Sequence, residues 1–203
     1  MSSHDRILFS GKALFARNGY ENTSTVAIAR QAGTSESQLM KHFGSKQGLL
    51  AAIFELGWAN ILQRARAVSE NGDSFPVLID VLQSLVSELD RDPEMRTLLM
   101  LESRRVRKDN PDLVLNSGAT QFGSLLETVL ASLSKQGALR PDLDVRATRA
   151  ALYGMVEGIL FDQLASARNG ANGTYTGDQA REVLHTVVLG LAAEPVASHQ
   201  KGA

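Results

Sequence analysis

Between Thr25 and Lys46 the chain reads TVAIARQAGTSESQLMKHFGSK, and Ser35, Glu36, Ser37, Gln38, Lys41 and His42 crowd its second half. These side chains form no nucleophile and base set. They are hydrogen-bonding groups, short or flexible enough to reach base edges in a major groove about 12 Å wide. Gln38 suits bidentate pairing with adenine, and Lys41 suits guanine or a phosphate. Glu36 suits the amino group of cytosine, or the positive end of a helix dipole, and His42 suits a groove contact. Thr25 and Lys46 each fall in a first helical turn, where free backbone N–H groups already favour an anion, so both are read as phosphate contacts.

Two short helices must position these groups. Thr23 and Ser24 offer caps for a helix over 25–32, and Ser35 caps a second over 36–43. Helices that cross at a steep angle need a small residue at the crossing and a glycine of positive φ in the turn. Ala29 meets the first need and Gly33 the second. Ile28, Ala32, Leu39 and Phe43 supply the apolar plug between them, and a preceding helix over 5–18 adds the surface that two such short helices lack.

The stretch FARNGYENTSTVAIARQAGTSESQLMKHFGSKQGLL resembles the N-terminal domain of the TetR family of bacterial transcription regulators. The resemblance rests on Phe15, Gly19-Tyr20, the Thr/Ser run before Ile28-Ala29, Ala32-Gly33-Thr34-Ser35, Leu39, His42-Phe43 and Lys46. ALYGMVEGILFDQL is similar to the family's eighth helix. The resemblance implies a homodimer with a DNA-reading head on each subunit and a body cavity for a small-molecule effector. It also implies that the last two long helices pair across the dimer axis, and that effector binding respaces the heads and releases a double-stranded operator; most members repress. One position departs from the pattern. Met40 stands where the family usually has a tyrosine that contacts a phosphate, so that anchor is absent or supplied by Lys41 or Lys46.

The remainder reads as helix throughout, giving an all-α chain of about nine helices. The expected division is a head over 1–46, a body over 47–193 and a polar, disordered tail over 194–203. Within the body, Trp58, Met100, Phe122, Tyr153 and Glu157 are candidates for a cavity, with Phe54, Met95 and Phe161 as further large side chains of that kind. A carboxylate in such a cavity implies a cationic or hydrogen-bonding effector. Ala150, Gly154 and Gly158 recur at every fourth position, and small residues on one face let two helices approach closely. With the apolar Val183, Val187 and Leu191 of the last helix they make the expected dimer interface.

Composition narrows the classes. The chain has 203 residues, 43% of them hydrophobic, and no cysteine, which removes disulfides, thiolate metal sites and cysteine nucleophiles. Its net charge is −1, yet the first fifty residues carry +3 and the rest −4, a basic head on an acidic body that suits a polyanion at the head. No signal peptide and no membrane span is legible, so a cytoplasmic location without membrane attachment is expected. The four histidines form no metal-ligand spacing and no cofactor motif is present. Glu157 and Asp162 point about 140° apart on a helix and make a poor acid–base pair, so no enzyme is expected. The alternative to a regulator is a helical interaction module whose head has lost or altered its DNA binding.

Overall fold

The computed structural model describes residues 1–102, 117–168 and 177–193. Among these lie nine helices: α1 (Ser3–Asn18), α2 (Thr25–Gln31), α3 (Glu36–Phe43), α4 (Lys46–Ser69), α5 (Phe75–Arg91), α6 (Pro93–Glu102), α7 (Ser117–Lys135), α8 (Val145–Arg168) and α9 (Gly177–Leu189). Serine hydroxyls begin five of them, each accepting from the backbone N–H three residues on: Ser2, Ser24, Ser35, Ser45 and Ser74. At α1 the cap is reciprocal, with Asp5 N–H donating to Ser2 Oγ at 3.1 Å and Ser2 N–H donating to Asp5 Oδ2 at 3.2 Å. That box starts α1 two residues earlier than the apolar spacing indicates. Hydrogen bonds from Ser2 hold the Asp5 carboxyl below its ordinary value. The carboxylate half of the cap is therefore intact at neutral pH and weakens as acid titrates Asp5, while the Asp5 N–H to Ser2 Oγ bond does not titrate.

The central pillar is α4. Leu49, Leu50, Ile53, Phe54, Trp58, Ile61, Leu62 and Ala65 are buried along it. Its first turns carry α1 and α3, and its later turns carry α5 and α7; α9 packs on α5, and α8 on α7. Gly11 sets the depth at which α1 sits on α4, because a Cβ there would come within 2.8 Å of Leu49 Cδ2. α6 lies between α1 and α8. Its first turn is fixed by Asp92, which accepts from Met95 N–H at 3.0 Å and pairs with Lys12 of α1 at 2.6 Å.

The crossing of α2 and α3 follows the expected sizes. Ala29 is buried at the crossing and Gly33 turns the chain at φ 62°. Ile28, Ala32 and Leu39 are fully enclosed and Phe43 is half-buried. Truncating a plug of this kind, as in Leu39→Ala, costs about 2–5 kcal/mol.

α9 ends at Leu189, three residues before the expected Ala192, because the chain turns there to pair with the loop after α7. Arg140 N–H donates to Leu191 O at 3.0 Å and Ala193 N–H donates to Ala138 O at 2.8 Å. The expected start of α7 at Leu113 and the polar tail over 194–203 lie outside the described residues.

Candidate functional site

At 100° per residue, the side chains of α3 fan out in a fixed order around its axis. Leu39 and Phe43 face the core. Turning from them toward α2 come Glu36 and Met40, then Ser37 and Lys41 on the outermost side. Gln38 and His42 follow on the side facing α1. The flanks are tied to neighbouring helices. The Thr25 hydroxyl of α2 donates to the Glu36 carboxylate in a short bond. His42 Nε2 lies 3.0 Å from Ser3 Oγ of α1, and His4 stacks on Phe43 with ring centroids 4.9 Å apart. Arg6 of α1 donates from Nε to Ala32 O at 2.9 Å and so caps the end of α2. Ser35 and Ser37 share a hydrogen bond of 2.8 Å.

The outermost side chains are left to solvent. Gln38 and Lys41 are exposed, and neither makes a side-chain hydrogen bond among the described residues. Met40 is 44% exposed beside them and packs into no part of the core.

Lys46 is held differently from the expectation. Its ammonium donates to Tyr20 O and Thr23 O, both at 3.0 Å, and sits 4.2 Å from the centre of the Tyr20 ring. Two of its three N–H groups therefore fasten α4 to the turn between α1 and α2. Thr25 likewise gives its hydroxyl proton to Glu36. Sequence spacing identifies the polar residues of α3 but not the clamp of Ser3, His4 and Arg6, which meets α2 and α3 from 26 to 39 residues away. The only legible trace of that clamp is that α1 begins with three polar, ring-bearing or cationic groups.

In the body, Trp58, Met100, Tyr153 and Glu157 line one cavity of about 330 Å³, together with Leu85, Leu99 and Arg149. Phe122 stands behind its wall, fully buried between Trp58 and Tyr153, with ring centroids 6.3 Å from each. Phe161 is not part of it; that ring points outward from α8 and is 55% exposed. Arg149 escaped the sequence reading, although Arg149, Tyr153 and Glu157 recur every four residues on one stripe of α8. Its Nε lies 3.4 Å from Glu127 Oε2 across the α7–α8 seam. Trp58 also borders a wider groove of about 900 Å³ along α4, where Arg66 donates to Gln121 Oε1 at 3.0 Å.

A second surface runs along α8 and α9. Ala150, Gly154 and Gly158 are exposed, and among the described residues a Cβ added at either glycine would meet nothing within 4 Å. Val183 and Val187 are 52% and 42% exposed, and a groove of about 450 Å³ passes between Gly158 and Val183. Leu191 stands apart from this face, half-buried against the chain's own core. Among the described residues no group of three or more His, Asp or Glu side chains is arranged to hold a metal ion, and no helix is long and apolar enough to cross a membrane.

Comparison with known proteins gives a consistent set of likenesses. Residues 7–53 match the family model for bacterial regulatory proteins of the tetR family. The chain is 24% identical over 159 residues to the HTH-type transcriptional regulator UidR of Escherichia coli K12, covering 77% of this chain and 79% of that protein. The solved structure of the regulator FadR from Bacillus subtilis with stearoyl-CoA superposes with a TM-score of 0.80 at 19% identity, over 91% of this chain and 97% of that one. AibR, solved with isovaleryl coenzyme A and operator DNA, superposes with a TM-score of 0.74 at 19% identity, over 92% and 97%.

Proposed function

Because this chain belongs to the TetR family of bacterial regulatory proteins, we propose that it acts as a cytoplasmic transcription regulator that reads a palindromic operator as a homodimer. A small molecule entering the body cavity then releases it. The head over 1–46 carries the DNA contacts and the body over 47–193 carries the cavity and the dimer face. The observation that carries this reading is the outer side of α3. Ser37, Gln38, Met40 and Lys41 face solvent together, while Glu36 and His42 on either flank are bound to α2 and α1. A helix braced on both edges and bare along its crest is suited to entering a major groove.

Charge supports the same assignment, since the fifty residues holding α3 carry a net +3. The repressor role follows the habit of most of the family. Two structural neighbours were solved with acyl-coenzyme A molecules, and one of those with operator DNA, which supports an acyl compound as effector. α6 supports the coupling of cavity to head. It is ion-paired to α1 through Glu94 and Lys12, 3.7 Å apart, at one end and lines the cavity with Leu99 and Met100 at the other.

The test is a titration of the full chain against DNA flanking its own gene, at several salt concentrations. Each phosphate neutralised releases counterions, so log K should fall linearly with log salt at a slope of about −0.9 per contact. Binding that shows no preferred sequence and no salt dependence would leave a helical module without a DNA role.

A further inference from the structure

The chain has no cysteine, so all its sulfur lies in five methionines. Three of them fill space inside the molecule. Met95 is 2% exposed and is wedged against α4, where a Cβ at Gly57 would come within 2.3 Å of its Cε. Met100 and Met155 are half-buried against the core. Met1 precedes α1. Met40 is the one helical methionine that stands open to solvent, 44% exposed and packed into no part of the core. It sits on α3 next to Lys41, on the side of the helix that the core leaves bare. A flexible thioether is ordinarily a gap-filler, and here it fills no gap.

We propose that Met40 is a modification site: a peroxide converts its thioether to the sulfoxide, and the oxidised chain lets go of DNA. The proposal rests on the reading of α3 given above. The step needs only the peroxide. Its O–O bond breaks, one oxygen forms the S–O bond at Met40 Sδ, the sulfur gives up two electrons, and the other oxygen leaves as water. A thioether reacts without first losing a proton, so access decides which methionine is oxidised, and no thiol in the chain competes for the oxidant. The product is a polar side chain whose new oxygen accepts hydrogen bonds and donates none. Against a phosphate oxygen it sets acceptor against acceptor, and against a thymine methyl it buries an oxygen with no partner. Either contact weakens binding. Because the side chain is outside the core, the fold of the head is kept and only its outer face is changed. Sulfoxide reductases return the thioether, so the change is reversible.

The full chain is treated with hydrogen peroxide at neutral pH, with and without the DNA flanking its own gene, and each methionine is followed by peptide mapping. Met40 should oxidise at least about tenfold faster than Met95, and bound DNA should slow it. The oxidised chain should bind that DNA at least about fivefold more weakly, with its helical circular dichroism retained, and methionine sulfoxide reductases should restore the affinity. Met40→Leu removes the sulfur at similar volume. It is compared with itself before and after peroxide, and its affinity should not change on treatment. Oxidised wild type that binds as before, a Met40→Leu chain as sensitive as the wild type, or a Met40 no faster than Met95 would each overturn the assignment. If Met40→Leu binds no DNA at all, protection by DNA and rescue by the reductases decide the matter in the wild type. The untreated chain separates the two readings. No binding before peroxide overturns the regulator and this proposal with it, whereas binding that peroxide leaves unchanged overturns this proposal alone.

Discussion

Lys41 and Lys46 are cations within two turns of each other, yet they do different work. Lys41 stands on the crest of α3, while Lys46 spends two of its N–H groups on the carbonyls of Tyr20 and Thr23. Lys41→Ala should therefore weaken binding to all DNA sequences and reduce the salt slope by about 1, measured by fluorescence anisotropy. Lys46→Ala should instead lower the stability of the chain by about 1 kcal/mol in urea, the net value of a charged hydrogen bond discounted for partial exposure. If Lys46→Ala flattened the salt slope while stability held, its remaining N–H would be a phosphate contact after all. Gln38→Ala should leave the slope alone and relax preference at one base position, by about 1–3 kcal/mol in a base-by-base competition assay. Met40 is exposed rather than packed, so Met40→Tyr can place a hydroxyl near the backbone of bound DNA. It should tighten operator binding by about 0.5–1.5 kcal/mol. Weaker binding would mean that the thioether itself touches the bases, a thymine methyl being the apolar group in reach.

Elements were legible where their ends are written locally. α3 runs over the expected 36–43 because Ser35 begins it and Gly44, at φ 73°, stops it. The start of α1 was missed although its signal, Ser2 followed by Asp5, is local too; apolar spacing took precedence over the capping box. The contacts that brace the head were not legible, because Ser3 with His42 and Lys46 with Tyr20 depend on how helices dock, which no single window encodes. The cavity residues were legible as large side chains at helical spacing. The order of its walls was not, so Phe122 fell behind the lining and Phe161 on the outside. Packing of α7 on α4 depends on Gly118, where a Cβ would come within 2.0 Å of Trp58 Cγ. Gly118→Val should overpack that seam and cost about 1–3 kcal/mol, seen as a lower urea midpoint together with altered tryptophan emission. A variant with the wild-type midpoint and emission would mean that the ring has an alternative seat.

At the scale of the whole molecule, in the homodimer proposed above, one head alone would offer few base contacts and bind weakly. Two heads on a shared body make the second contact intramolecular, so affinity depends on pairing. The α8–α9 face is the surface best suited to pairing, with its exposed glycines and its bare Phe161, Val183 and Val187. Gly158→Leu tests it cleanly. Within one chain a Cβ there meets nothing within 4 Å among the described residues, so the leucine can project outward and the fold of the monomer should be retained. Across a close helix contact the same leucine should overpack by about 1–3 kcal/mol. Sedimentation at micromolar concentration should give a dimer for the wild type and a shift toward monomer for the variant, with operator affinity falling in step. A wild type that sediments as a monomer would sink the paired reading.

In the paired regulator proposed above, that bare face would make the protein's own abundance an input to the gene under its control. While chains are scarce relative to their pairing constant, the paired form rises with the square of the total. Halving expression then leaves about a quarter of the DNA-binding species. A cell carrying such a paired regulator would respond to gene dosage and to dilution at division as well as to effector. Strengthening the face, by enlarging the contact around Val183 and Val187, would remove that sensitivity before it changed anything about the sequence being read.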